Sequence, residues 1–425
     1  MTRELEIYIH IPFCVRKCAY CDFLSGPADQ KTQEQYTDAL IREIEAFPDA
    51  EQYVVCSIFI GGGTPSVLPK DAVGRIMEAI RRKFHLLGKN RDEIADKDSE
   101  KGSGNAAVKQ TTETKTMEKR GNAEITIECN PGTADQEKLS YYRKIGINRL
   151  SLGLQSADNR ELALLGRIHT WETFLETYHA ARRAGFTNIN IDLMSGLPGQ
   201  SVDSWRRTLD QVLALEPEHI SAYSLIIEEG TPFYTRYRKD EALRDRGEEP
   251  KLLPSEEAER QMYTCTEEKL LKHGMHRYEI SNYAKPGYLC RHNDGYWTGV
   301  WYVGFGLGAS SLLNHTRYRN TEDMKEYLAC DPKQLAKCRG VEPLTQNDEM
   351  EEFMFLGLRR MKGVSEAEFE KRFQRTIPEV YGAIPDRLID QGLLVREEGR
   401  YFLTPEGINL SNYVMSEFIL TSSEQ

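Results

Sequence analysis

Glu6-Ile7-Tyr8-Ile9-His10-Ile11-Pro12-Phe13-Cys14-Val15-Arg16-Lys17-Cys18-Ala19-Tyr20-Cys21 is the stretch whose reading decides the fold. A strand-like run, Glu6–Ile11, passes directly into three cysteines spaced C-x3-C-x2-C. Three thiolates in one loop, Cys14, Cys18 and Cys21, can each grip one iron of a [4Fe–4S] cubane and leave the fourth iron without a protein ligand. A zinc site with His10 as fourth ligand is the competing reading. Zinc more often takes paired C-x2-C units across a longer loop, and no second pair exists here. Cys56, Cys129, Cys265, Cys290, Cys330 and Cys338 are scattered along the chain and are expected to be core or surface thiols.

Working outward, further short apolar or alternating runs lie at Val54–Ile60, Glu124–Glu128, Arg149–Leu154, Asn188–Met194 and Ile220–Leu225. Helix-period segments separate most of them: Glu34–Ala46, Lys70–Phe84, Asp135–Lys144, Thr170–Ala184 and Asp203–Leu215. Such alternation implies βαβ units on a parallel sheet. Six units are too few for a closed eight-stranded barrel, so the expected fold is α/β, a partial (β/α)6 TIM-like barrel. Its ligands belong at the carboxyl ends of its strands. Residues 88–122 are charged, rich in Gly, Ser and Thr, and free of aromatics, as in a mobile insertion.

The expected domains are a core barrel over 1–230, a core extension over 231–345 and a C-terminal module over 346–425. The extension holds a helix near Ser255–Lys272 and an aromatic, Gly-rich stretch that includes Val303–Ser310. In the last segment, helices at Glu349–Met361, Ser365–Phe373 and Ile377–Gln391 precede a hairpin turning at Glu398-Gly399, an α+β, winged-helix-like pattern.

The 425 residues carry a net charge of -11, which argues against a general nucleic-acid binder. The first residues are acidic where a secretory signal would need an apolar run, and no stretch reaches the length of a membrane span. A cytoplasmic location with mostly reduced thiols is expected for the nine cysteines.

The string Tyr8–Phe23 resembles the radical-SAM coproporphyrinogen III oxidase-like family, and within it the HemW-type heme chaperones. The resemblance continues through Gly61-Gly62-Gly63-Thr64-Pro65, Ile127-Glu128-Cys129-Asn130-Pro131, Leu152-Gly153-Leu154-Gln155-Ser156 and Ile191–Gly199. It implies that S-adenosylmethionine (SAM) chelates the open iron through its amino and carboxylate groups, with the cofactor carrying the chemistry. It also implies that Gly62, Gly63 and Thr64 meet the methionine part of SAM. Glu128, Gln155, Arg167 and Asp192 contact SAM, or a second SAM beside the first, and Tyr8 and Tyr20 flank the cofactor.

Two features bear on function within the family. The oxidase carries a further cysteine two positions after the last cluster cysteine, where this chain has Phe23. His292-Asn293-Asp294-Gly295-Tyr296-Trp297 resembles the HNxxYW motif of the chaperone group, and a neutral imidazole is a common axial ligand of heme iron. His292 is therefore the candidate heme ligand; a structural turn braced by Tyr296 and Trp297 is the plainer reading. The expectation is a heme chaperone that passes heme to an acceptor protein, with transient membrane association and homodimerisation left open. The alternatives are oxidative decarboxylation of coproporphyrinogen III to protoporphyrinogen IX, and another radical-SAM reaction on a tetrapyrrole.

Overall fold

In a computed structural model, residues 2–88, 121–331 and 339–420 are described. The expected insertion, 88–122, lies outside them except for its ends. Six parallel strands alternate with helices: β1 (Arg3–Ile11), β2 (Tyr53–Gly62), β4 (Glu124–Cys129), β5 (Arg149–Gln155), β6 (Ile189–Ser195) and β7 (His219–Ser224), with the short β3 (His85–Leu86) beside β2. They neighbour one another in sequence order, β1-β2-β4-β5-β6-β7, and curve as the partial barrel expected.

The alternation of β1 sets the two faces of that barrel. Leu5, Ile7, Ile9 and Ile11 are fully buried in the main core, which includes Tyr36, Leu40 and Ile44 of the helix Gln30–Ala46. That helix begins where Asp29 accepts the Thr32 amide at 2.8 Å, one of the free donors of its first turn. The intervening Glu6, Tyr8 and His10 line a cavity on the opposite face, because successive side chains of a strand alternate sides.

The segment after β7 extends the same sheet at both edges. β8 (His276–Glu279) and β9 (Asn282–Ala284) join beyond β7; β10 (Tyr302–Phe305), β11 (Ser310–Leu313), β12 (Thr316–Asn320) and β13 (Arg339–Pro343) join beyond β1. β10 runs parallel to β1 and carries the parallel part of the sheet one strand beyond it. The Gly-rich stretch Val303–Ser310 is therefore in part strand. A Cβ on Gly306, at φ +108°, would meet the His10 carbonyl at 2.6 Å, so its small size serves close packing of the chain on itself.

The last segment has its own apolar core, from Met350 and Met354 through Phe369, Phe373 and Tyr381 to Leu403 and Phe418, under the three strands β14 (Val364–Ser365), β15 (Leu394–Glu397) and β16 (Arg400–Leu403). Ile377–Gln391 is two helices, Ile377–Tyr381 and Ile384–Asp390, rather than the one expected. Gly382, at φ 57° and ψ −128°, breaks it, and Pro385 starts the second helix. Cys56, Cys129, Cys265 and Cys290 form no disulfide, and Cys56 Sγ donates to the Leu5 carbonyl at 3.4 Å; Cys330 is instead disulfide-bonded, and Cys338 is not among the described residues. No helix among the described residues is long and apolar enough to cross a membrane.

Candidate functional site

The cysteine loop leaves β1 at its carboxyl end and is tied at its base. Cys14 donates its amide to the Gly26 carbonyl and Gly26 donates back to Pro12, each at 3.0 Å. Ala19 is strapped on both sides, donating to Leu165 and accepting from Phe233 at 3.0 Å. Tyr20 packs toward Phe233, their rings 6.3 Å apart, in a small apolar cluster with Leu165, Leu197 and Leu225. The backbone is thus held from several sides, and Cys14, Cys18 and Cys21 remain free and half-buried. Burial pushes the Cys21 thiol up, opposed by the Phe23 amide.

Glycines bring the end of β2 against this loop. Gly62 has φ +110°, and a Cβ there would stand 2.7 Å from the His10 ring; one on Gly63 would stand 2.9 Å from Cys14 Sγ and 2.7 Å from the Phe13 carbonyl. Only a bare backbone fits in this cradle. Thr64 donates its hydroxyl to Cys14 Sγ at 3.5 Å, and Arg167 donates Nη1 to Cys18 Sγ at 3.6 Å.

Of the other expected residues, Glu128 and Gln155 stand at neighbouring strand ends, whereas Asp192 lies midway along β6 rather than at its end. Glu128 Oε2 accepts the Gly62 amide at 3.1 Å; burial, then the nearby Asp192 carboxyl, push its pKa up to about 8. Asp192 accepts from Ser151 Oγ at 2.9 Å and Asn190 Nδ2 at 2.7 Å, and burial raises it too. Gln155 holds φ 73° at a bulge between β5 and β6, a conformation non-glycine residues seldom adopt and one that collects at ligand sites. Two carboxyls that resist losing their protons without a counter-charge suit a cationic ligand. Tyr8 hydrogen-bonds His10 Nδ1 at 3.0 Å, and His10 Nε2 meets the Leu24 carbonyl at 3.0 Å. With both ring nitrogens engaged, His10 is a poor fourth ligand for zinc. No three His, Cys, Asp or Glu side chains among the described residues converge on one metal ion. Thiolates that each take a different corner of a cubane need not converge in that way.

His292 lies apart from this rim, in the helix Arg291–Thr298. Glu124, at the start of β4, caps that helix by accepting the Arg291 amide at 3.0 Å and the His292 amide at 3.4 Å. The imidazole is 1% exposed, stacks 5.2 Å from Phe59, and pairs Nδ1 with Ser57 Oγ at 2.8 Å and Nε2 with Tyr296 Oη at 3.0 Å. Burial holds it down to about 3, hence neutral. Gly295 lets the helix lie against Glu6, whose carboxyl a Cβ at that position would overlap. Tyr296 and Trp297, but not His292, line a cavity of about 1860 Å³ between the barrel and the C-terminal helices.

Sequence reading missed Asn130, which joins Thr64 to Arg167, and Glu124, which docks the His292 helix. Asn130 stood inside a motif quoted for its glutamate; nothing local marked Glu124, which acts on a segment far along the chain.

A parallel partial barrel whose first strand delivers three free thiols beside a glycine cradle and a carboxyl-bearing rim defines the radical-SAM class. The Radical SAM superfamily profile matches residues 8–212, and the HemN C-terminal domain profile matches 344–410. The chain is similar to the heme chaperone HemW of Bacillus subtilis, 33% identical over 97% of this chain and 98% of that one. It is likewise similar to HemW of Lactococcus lactis, 34% identical over 99% and 98%. Its fold is that of the radical-SAM coproporphyrinogen III oxidase HemN of Escherichia coli, with a TM-score of 0.75 at 23% identity, over 98% of this chain and 90% of that one. The chain belongs to the HemW family of radical-SAM proteins.

Proposed function

We propose that this protein is a heme chaperone: it binds heme and hands it to an acceptor protein, while Cys14, Cys18 and Cys21 hold a [4Fe–4S] cluster whose open iron takes SAM. The residues fit both groups. The thiols are free, the Gly62–Gly63 backbone leaves room against Cys14, and Glu128 with Asp192 suits the positive charge of SAM. When bound, the cluster supplies one reducing electron and SAM the group it can cleave.

The observation that carries the heme reading is the helix His292–Trp297 in the wall of a cavity large enough for a macrocycle, in a chain full-length similar to proteins named heme chaperones. Because His292 is sealed behind Tyr296, coordination by its imidazole requires the Tyr296 contact to open. The three segments 1–230, 231–345 and 346–425 serve this reading as cluster barrel, sheet extension with the heme helix, and cover.

Anaerobically purified protein should take up heme stably, and His292→Ala should weaken uptake ~10-fold or more, since loss of even a group that only supports a metal ligand costs about that much. Porphyrin product at useful turnover from coproporphyrinogen, SAM and a reductant would overturn the carrier reading in favour of decarboxylation. Heme uptake untouched by His292→Ala would remove His292 as the ligand.

A further inference from the structure

Two of the cluster thiols are linked by one continuous chain of hydrogen bonds whose middle member no cofactor role accounts for. Arg167 donates Nη1 to Cys18 Sγ at 3.6 Å and Nη2 to Asn130 Oδ1 at 2.6 Å. Asn130 donates Nδ2 to Thr64 Oγ1 at 2.6 Å, and Thr64 donates to Cys14 Sγ at 3.5 Å. The direction of this chain is fixed by chemistry. A guanidinium can only donate, so the amide oxygen of Asn130 must face Arg167 and its NH2 must face Thr64. Thr64 then accepts from Asn130, and its single proton is left for the sulfur of Cys14.

Asn130 is itself held firmly. Its amide donates to Ser66 Oγ at 3.3 Å, and its carbonyl accepts from Thr133 Oγ1 at 2.6 Å. Gly153 clears the path: a Cβ there would stand 2.8 Å from Asn130 Oδ1 and 3.1 Å from Arg167 Nη2. The glycine of Leu152-Gly153-Leu154-Gln155 thus serves the link, not the ligand.

We infer that Asn130 is a positioning residue for the cluster, aiming one hydrogen-bond donor at Cys14 and another at Cys18 by the polarity of its side-chain amide. This rests on the cluster reading above. Donors on cluster sulfurs raise the reduction potential, so Asn130 sets how readily the cluster accepts its electron without touching it.

The test uses the full chain, reconstituted anaerobically with iron and sulfide. Asn130→Asp keeps the shape and the acceptor for Arg167 but presents an oxygen to Thr64, whose proton then turns away from Cys14. The reduced cluster, after exchange into D2O, should show an exchangeable deuteron coupling by ENDOR that Asn130→Asp loses. Thr64→Val, which adds no charge, should lose the same coupling. Both variants should titrate to a more negative potential, and Asn130→Asp should lose iron to a chelator ~10-fold faster. An unchanged coupling in Asn130→Asp overturns the inference, as does a coupling that Thr64→Val leaves in place. If Asn130→Asp loads no cluster, Asn130→Ala carries the test. Failure of both to load with an unchanged apo melting temperature supports positioning, and failure with a collapsed melting temperature makes Asn130 a folding residue and overturns it. Absence of a cluster in the unsubstituted chain is a separate result, which removes the cluster reading itself.

Discussion

The loop carrying Cys14, Cys18 and Cys21 is fixed through its backbone and keeps its side chains within reach of solvent. The helix carrying His292 is fixed through its side chains and keeps its key imidazole sealed. Both stand at the wall of one barrel, yet they differ in what a substitution should cost. In the first, fold and cofactor separate: the strapped main chain persists whatever the thiols bind. In the second they are one, because Ser57, Phe59, Tyr296 and Glu6 all pack on the residues assigned to function.

That contrast can be broken by measurement. The largest difference is expected between His292→Ala and Cys18→Ala. The first empties a buried site and strands the hydroxyls of Ser57 and Tyr296, costing ~3 kcal/mol in denaturant unfolding of the cluster-free protein. The second changes a half-exposed thiol and should stay within ~1 kcal/mol. Equal losses would erase the distinction.

The glycines sharpen it. Gly295→Ala drives a methyl into Glu6 and should cost ~1–3 kcal/mol, read as a lower unfolding midpoint. Gly63→Ala presses on Cys14 Sγ and should appear chiefly as lost cluster iron, by iron and sulfide analysis of reconstituted protein.

Acid should reach the helix before it reaches the loop. His292 is held at about 3 when folded, against an ordinary value near 6.5, so the unfolded chain binds the extra proton between those values. Stability from this residue is therefore whole above ~6.5 and declines as pH falls toward ~3. His292→Gln should flatten that arm of the stability-against-pH curve; an unchanged slope would mean that the imidazole is not buried neutral. The smallest effect belongs to the exposed Arg16, whose guanidinium meets the Gly166 carbonyl at 2.8 Å. Arg16→Ala should cost no more than ~0.5 kcal/mol, since exposed contacts of this kind contribute little.

The six core strands were legible because each is a short apolar run bounded by helix-period segments, whereas Glu128, Gln155 and Asp192 were singled out by the family resemblance of the motifs that hold them. β10 was not legible: four residues that contain Gly304 and run into Gly306 carry no periodicity, and only pairing with β1 and β11 makes them a strand. The break at Gly382 escaped for a related reason, since one glycine in a helix-period run is usually tolerated and only its positive φ marks the interruption. The His292 motif was visible, but its burial was not. That depends on Ser57 and Phe59 from β2 and on Glu124 from β4, residues more than 160 positions away. Asn130 shows the same limit within the cluster site, because the polarity of an amide depends on partners that sequence spacing does not bring together.

The proposed cluster on Cys14, Cys18 and Cys21 leaves one iron corner for SAM. Its direct measurement is EPR of the reduced, oxygen-free reconstituted chain, recorded with and without SAM. The expected result is a cubane signal whose g-values shift when SAM is added, and which vanishes in Cys14→Ala, Cys18→Ala and Cys21→Ala alike. A cubane signal indifferent to SAM, or one that survives loss of any of the three cysteines, would contradict it.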